Sequence, residues 1–360
     1  MNEHLNILSD KAIDLLRSLI NIPSFSREES VTADRIAAFL QENGIPSERI
    51  GNNVIARNKE FDIRKPTVLL NSHHDTVKPN AQYTRDPFSP DIEDGKLYGL
   101  GSNDAGGCLV SLIVTFLHYY PKTDLPYNVM LATTAEEEIS GPGGVELILP
   151  HLPNIDCAVV GEPTKLDLAV AERGLMVLDC AAVGQAGHAA RNEGINALEK
   201  ALDDIQWIRS HRFERVSDFL GACKMTVTVI ETANKAHNII PAECKFVVDV
   251  RVNELYSFEE ALEEIRLNIG ATITPRGFRL RSTSISTEHP LVQGGIKMGR
   301  KPYGSPTTSD KALMPFPALK TGPGDSARSH SADEFIYVEE IRSGIEHYIN
   351  LIENLQQSRS

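Results

Sequence analysis

The chain has 360 residues, 36 Lys plus Arg against 49 Asp plus Glu, a formal charge of −13 and 41% apolar residues. That length exceeds one ordinary core and predicts about two domains. The acidic balance excludes simple phosphate-backbone binding and an anionic membrane surface as partner. None of the five cysteines lies in a C-x-x-C pair, which argues against a zinc ribbon or disulfide framework and for a reducing compartment. The opening MNEHLNILSDKA shows no basic region followed by an apolar block, and no apolar run reaches the roughly 20 residues of a membrane span. A cytoplasmic globular protein is expected.

In chain order, Ile13, Leu15, Leu16, Leu19 and Ile20 form one helical stripe. Ser26 with Glu29 reads as a capping box for a second helix carrying Val31, Ile36, Phe39 and Leu40, stopped by Gly44. Strands are expected at 67–72, 127–134 and 157–160, with an apolar helix at 105–120 between the first two. Unbroken apolar strands between helices predict an α/β domain whose sheet is covered on both faces.

The pattern changes after Glu172. A strand at 174–183, a helix at 196–210 with Leu198, Ala201, Leu202, Ile205 and Ile208 on one face, and alternating strands at 225–230 and 243–252 follow. A helix capped by Ser257 and Glu260 and ended by Gly270 precedes a strand at 273–281. This β-α-β-β-α-β order predicts a small α+β domain, ferredoxin-like in arrangement. A short strand at 318–321 and a helix at 338–355 return to the first domain. The expected layout is a catalytic domain, 1–172 and 285–360, interrupted by an inserted domain, 173–284.

Residues able to do chemistry follow predicted strands, where open α/β sheets place their sites. Ser72-His73-His74-Asp75 offers a histidine at a strand end and an acid two residues on that can accept its other ring N–H. Gly99-Leu100-Gly101-Ser102-Asn103-Asp104 is no dinucleotide loop, because Asp104 would repel a pyrophosphate. That carboxylate caps the helix or bridges cations. In Thr134-Ala135-Glu136-Glu137-Glu138 the adjacent carboxylates repel unless a cation or proton intervenes. Gly161-Glu162-Pro163-Thr164 and Gly322-Pro323-Gly324-Asp325, followed by His330, each default to a turn. Together these segments supply mixed N/O ligands suited to zinc or a similar metal. No G-x-S-x-G elbow or phosphate-binding P-loop is present.

Across SHHDTV, DPFSPDIEDGKLYGLGSND, TAEEE, GEPT, GQAGHAARNEGINA, AHNIIPAECKFVVDVR and GPGDSARSHSADEF, the chain resembles the dinuclear-zinc aminoacylase/deacetylase/carboxypeptidase family. Its closer members include acetylornithine deacetylase and succinyl-diaminopimelate desuccinylase. The resemblance covers nearly the whole chain. It implies a mixed-sheet catalytic domain with an inserted lid and dimerisation domain. It implies two divalent metals, zinc or else cobalt, held by His73, Asp104 and Glu162 and by His330, Glu138 and the shared Asp104. Asp75 matches the acid that orients His73, and Glu137 matches the general base. His188 matches an inserted-domain histidine that reaches a partner subunit's site. Asn238 and Arg251 match substrate-binding residues; strand alternation puts Arg251 on the polar side with Lys245 and Asp249.

Gly106, Ser72, Glu136, Ala189, Ala190 and Tyr83 depart from the family's usual residues without removing a ligand or the base. Three carboxylate ligands against two divalent ions leave such a cluster net positive, able to polarise an amide oxygen. The expected activity is removal of an N-acyl group from an amino acid. Acetylornithine in arginine biosynthesis comes first, then acetylcitrulline or a succinylated counterpart. Succinyl-diaminopimelate desuccinylase, a metal dipeptidase and an inactive binding homologue are the alternatives. A homodimer through the inserted domain, with no nucleic acid and no membrane, is expected.

Overall fold

The computed structural model describes residues 2–191 and 193–357. The chain divides into two compact units, one of 1–170, 285–303 and 309–360, the other of 171–284 and 304–308. The short segment 304–308, read from sequence as part of the first domain, clusters with the second.

The first unit is an α/β domain on a mixed sheet. Strands Asn128–Thr134, Thr67–His73, Cys157–Val160 and Ala318–Lys320 lie side by side and parallel. An antiparallel pair, Ser47–Ile50 and Asn53–Arg57, extends one edge; the sequence pattern did not predict it. The parallel strands are buried throughout because alternate residues feed two cores. Val68, Leu70, Val129 and Leu131 join a cluster with Leu15, Leu16, Leu112, Ile113, Leu351 and Ile352 of the covering helices. Leu69, Met130, Ala158 and Val160 join Val145 and Ile148 on the other face. A sheet covered on both faces has no use for polar alternation, which is why these strands read as unbroken apolar runs.

The helix Gly107–Tyr119 starts with two glycines for a steric reason. A Cβ on Gly107 would meet Ile336 Cδ1 at 2.2 Å, and one on Gly106 would meet the Gly101 carbonyl oxygen at 2.3 Å. The capping box expected at Ser26 and Glu29 does not form. The helix Ser30–Glu42 has Glu29 as its cap residue without a side-chain cap bond. Ser26 donates instead to Asp75 Oδ2 at 2.7 Å, and Glu29 accepts from Asn52. Val31, expected on the apolar face, is exposed.

The second unit is a four-stranded antiparallel sheet, spatial order Lys224–Glu231, Glu243–Val252, Gly174–Val183, Thr272–Pro275. With helices Ala197–Ser210 and Phe258–Arg266 on one face, this is the ferredoxin-like arrangement. The Ser257–Glu260 capping box forms as expected. Leu202 is exposed, and Asp204 takes the inward position, accepting the N–H groups of Gly270 and Ala271 at 2.8 and 2.9 Å. The last strand ends at Pro275, which pairs with Leu178, short of the expected 281. All five cysteines are buried and outside any disulfide. Among the described residues no helix is long and apolar enough to cross a membrane.

Candidate metal centre

The ligand-type residues of the first unit converge because four parallel strands end at the same rim. His73 is the last residue of its strand and pairs in register with Thr134, the last of the neighbouring one. Glu137 and Glu138 follow Thr134 in a short helical turn, and Glu162 follows the strand ending at Val160. His330 lies in the loop after Ala318–Lys320.

Two groups of ligand atoms result, each with all its atoms within 4.8 Å of one another. His73, Asp104 and Glu162 form one; Asp104, Glu138 and His330 form the other. His73 Nε2 stands 3.5 Å from Asp104 Oδ1 and 3.6 Å from Glu162 Oε1. His330 Nε2 stands 2.9 Å from Glu138 Oε2 and 3.5 Å from Asp104 Oδ2. The two oxygens of Asp104 thus face different histidines.

The donor set fits a pair of divalent cations. His73 Nε2 is buried and makes no hydrogen bond among the described residues, a costly condition unless a cation meets it. The protein's own charges tell the same story. Burial pushes Glu137 well above the usual carboxylate range, and Glu162, Asp310 and Glu138 add to this while His73 opposes it. Burial works to neutralise His73, yet Glu137, Asp104, Asp75 and Glu162 overrule it and raise its pKa. Imidazole and carboxylate donors around a shared carboxylate suit two zinc-type ions.

The other ring nitrogen of His73 is held at the second residue on. Nδ1 lies 3.0 Å from the Asp75 carbonyl oxygen and 3.5 Å from its carboxylate. Asp75 also accepts the backbone N–H groups of Glu137 and Glu138 at 3.0 and 3.2 Å. Glu137 Oε2 lies 3.9 Å from His73 Nε2 and belongs to neither ligand group. Glu136 has a positive φ of 53° and turns away. Its carboxylate accepts the Gly143 N–H and lies 3.9 Å from Arg27. His74 is buried between Thr32 and the Asn52 carbonyl, both at 2.9 Å, and is a structural histidine. Asp325 joins neither group; it pairs with Lys165 at 2.9 Å.

Two buried acids escaped the sequence reading. Asp310 accepts the Thr134 hydroxyl at 2.6 Å, and burial pushes it up to about 6. Glu334 accepts the N–H groups of Gly101, Asn103 and Asp104 at 3.1, 2.8 and 2.8 Å. Burial, with Asp104 adding, raises it to about 8. Glu334 sits inside the quoted SHSADEF segment, but nothing local marks it as different from a surface acid.

The remaining predicted residues lie in the second unit. His188 and Asn238 meet on a small ribbon. His188 pairs with Ile239, and Ala189 N–H donates to the Asn238 carbonyl at 3.0 Å. Both side chains are exposed. Arg251 is not brought to them. It stands eight residues along the strand from Glu243, about 26 Å at strand rise, and binds Asp249 in a two-bond fork at 2.8 and 3.0 Å.

The model of peptidase family M20/M25/M40 matches residues 69–354. Succinyl-diaminopimelate desuccinylase 2 of Ruegeria sp. is 25% identical over 368 aligned residues, covering 92% of this chain and 91% of that protein. A succinyl-diaminopimelate desuccinylase of Cereibacter sphaeroides is 28% identical over 345, covering 88% of each. Among solved structures, aminopeptidase PepT from Bacillus cereus matches with a TM-score of 0.77 at 16% identity, over 96% of this chain and 98% of that one. A dinuclear metal-binding M20 peptidase from Bacillus subtilis matches with a TM-score of 0.74 at 16% identity, over 98% and 99%. At such identities the structural likeness speaks for the fold alone.

Proposed function

The chain belongs to peptidase family M20/M25/M40, and from that premise we propose that it hydrolyses the amide bond of an N-succinyl amino acid, N-succinyl-diaminopimelate being the first substrate to test. The observation that carries the hydrolytic reading is the pair of ligand groups sharing Asp104, with Glu137 beside them. The succinyl preference rests on the names of the curated relatives. It reverses the order suggested by the motifs, which put N-acetylornithine and arginine biosynthesis first. The family's catalytic set is common to both, so motifs could not rank them.

His73, Asp104, Glu138, Glu162 and His330 would hold the ions. When bound, two divalent cations polarise an amide carbonyl and make water a better nucleophile near neutral pH. Glu137 takes the proton of the attacking water on its carboxylate and hands it to the leaving amine nitrogen. Asp75 keeps the Glu137 turn in place and fixes the His73 ring. We propose that His188 supplies a ring N–H to the developing oxyanion in the site of a second copy of the chain, and that Asn238 and Arg251 bind substrate. Their separation along the second unit supports assigning them to different places on the substrate or to different copies. The dimer contact we propose is the edge strand Lys224–Glu231. It is long, and its Val229 and Ile230 are about half exposed, an open template for pairing.

A substrate screen tests the reading: N-succinyl and N-acetyl forms of diaminopimelate, ornithine and citrulline, each with zinc and with cobalt. The expected result is chelator-sensitive release of succinate, fastest from succinyl-diaminopimelate. A preference for an acetyl substrate would overturn the succinyl assignment. Absence of all hydrolysis by the metal-loaded protein would favour an inactive binding homologue.

A further inference from the structure

His330 is the exposed member of the metal-ligand set. Its side chain is 53% exposed, against 1% for His73, so packing does little to hold it. Its φ is +58°, and that of Asp333 is +52°. Non-glycine residues keep such backbone only where the surroundings over-determine it. What over-determines this loop is a pair of adjacent carboxylates that face opposite ways. Asp333 reaches outward: its carboxylate accepts the N–H groups of Thr84 and Arg85, both at 2.9 Å, and the Thr84 hydroxyl. On the same side Asn80 donates to the His330 carbonyl at 3.1 Å. Glu334 reaches inward to the three N–H groups of the loop that ends in Asp104. The Glu334 carbonyl also accepts the Gly99 N–H at 3.0 Å.

We propose that Asp333 and Glu334 form a two-sided clamp that positions His330 and Asp104 for metal binding. The inference rests on the two-metal reading above. It assigns both acids as positioning residues that touch no substrate. Each side of the clamp governs a different ligand. Asp333 fixes the loop of His330, which serves one group; Glu334 fixes the loop of Asp104, which serves both.

Cobalt(II) titration of metal-free protein, followed by visible absorption and calorimetry, separates the two roles. Wild type is expected to bind two equivalents. Asp333→Ala should bind the first as wild type does and the second about 10- to 100-fold more weakly, the usual cost of removing a ligand's support. Its absorption band for the second ion should change. Asp333→Asn, which keeps an acceptor for the two N–H groups, should restore most of the loss. Glu334→Gln should weaken both equivalents. Asp333→Gly, which removes the same carboxylate and adopts the positive φ without strain, should weaken the second only, and covers the case in which Asp333→Ala fails to fold. Wild-type binding and spectra in folded Asp333→Ala, or in Asp333→Gly should Asp333→Ala not fold, would overturn the clamp. A wild-type chain that never binds a second cobalt would overturn the two-metal reading, and the clamp with it.

Discussion

The carboxylate of Asp75 accepts the backbone N–H of Glu137 at 3.0 Å, across 62 residues of sequence. The acid that lies beside His73 is therefore also the anchor of the turn carrying the proposed base. Asp75→Ala should release the Glu137 turn and remove the charge beside His73, while the main-chain carbonyl at 75 still accepts from the ring. We expect kcat to fall about 100-fold or more, with weaker metal binding. Loss confined to KM, measured with saturating metal, would contradict this dual role.

Glu137→Gln should leave the metal content intact, because Glu137 belongs to neither ligand group. Removing a positioned base should cost kcat about 10²- to 10⁴-fold. Elemental analysis alongside steady-state kinetics checks both halves. Turnover at the wild-type rate with two metals bound would remove Glu137 from the mechanism.

Asp104→Asn and His330→Ala should differ in stoichiometry. Asp104 faces both histidines, so its loss should strip or weaken both ions; His330→Ala should cost one. Equal metal loss in the two variants would argue against a shared carboxylate.

His347 sets a pH prediction outside the site. Burial, with Arg300 adding to it, lowers its pKa to about 3. Its Nε2 lies 3.0 Å from the Thr321 hydroxyl, and its Nδ1 has no partner among the described residues. An unfolded chain protonates histidine near 6.5; the folded chain resists until about 3. This contribution is complete above pH 6.5 and is lost as pH falls through that window. Each pH unit within it costs up to about 1.4 kcal/mol. His347→Gln should flatten stability against pH between about 6.5 and 3 in chemical denaturation. An unchanged slope would refute the assignment.

The proposed dimer predicts complementation. Co-expressed His188→Ala and Glu137→Gln chains should regain activity that neither has alone, since one mixed site keeps both residues. Ile230→Glu on the edge strand should give monomers by light scattering and lower activity. A fully active monomer would exclude the shared site.

Much of this protein was legible in the chain itself. Buried parallel strands such as Leu69–Leu70 read as unbroken apolar runs because two cores claim alternate residues. The polar-outward alternation of Lys245, Asp249 and Arg251 read correctly because that sheet is covered on one face. The donor residues were legible because each lies at the end of a strand or in the loop that follows one, in a motif of recognisable order. Other features depend on contacts that sequence distance hides. Ser26 satisfied the local rule for a capping box, yet its hydroxyl serves Asp75, 49 residues away. Nothing local separated Glu136 from Glu137. A positive φ at Glu136 sends its carboxylate to Gly143, while Asp75 holds the N–H of Glu137. Asp310 and Glu334 look like surface acids until partners 176 and 230 residues distant bury them. Local periodicity and turn chemistry act over a few residues, so the sequence alone determined the central strands, the covering helices and the donor set. Which carboxylate binds, which one supports and which one turns away was decided only by tertiary packing, because burial and long-range hydrogen bonds exist only in the closed fold.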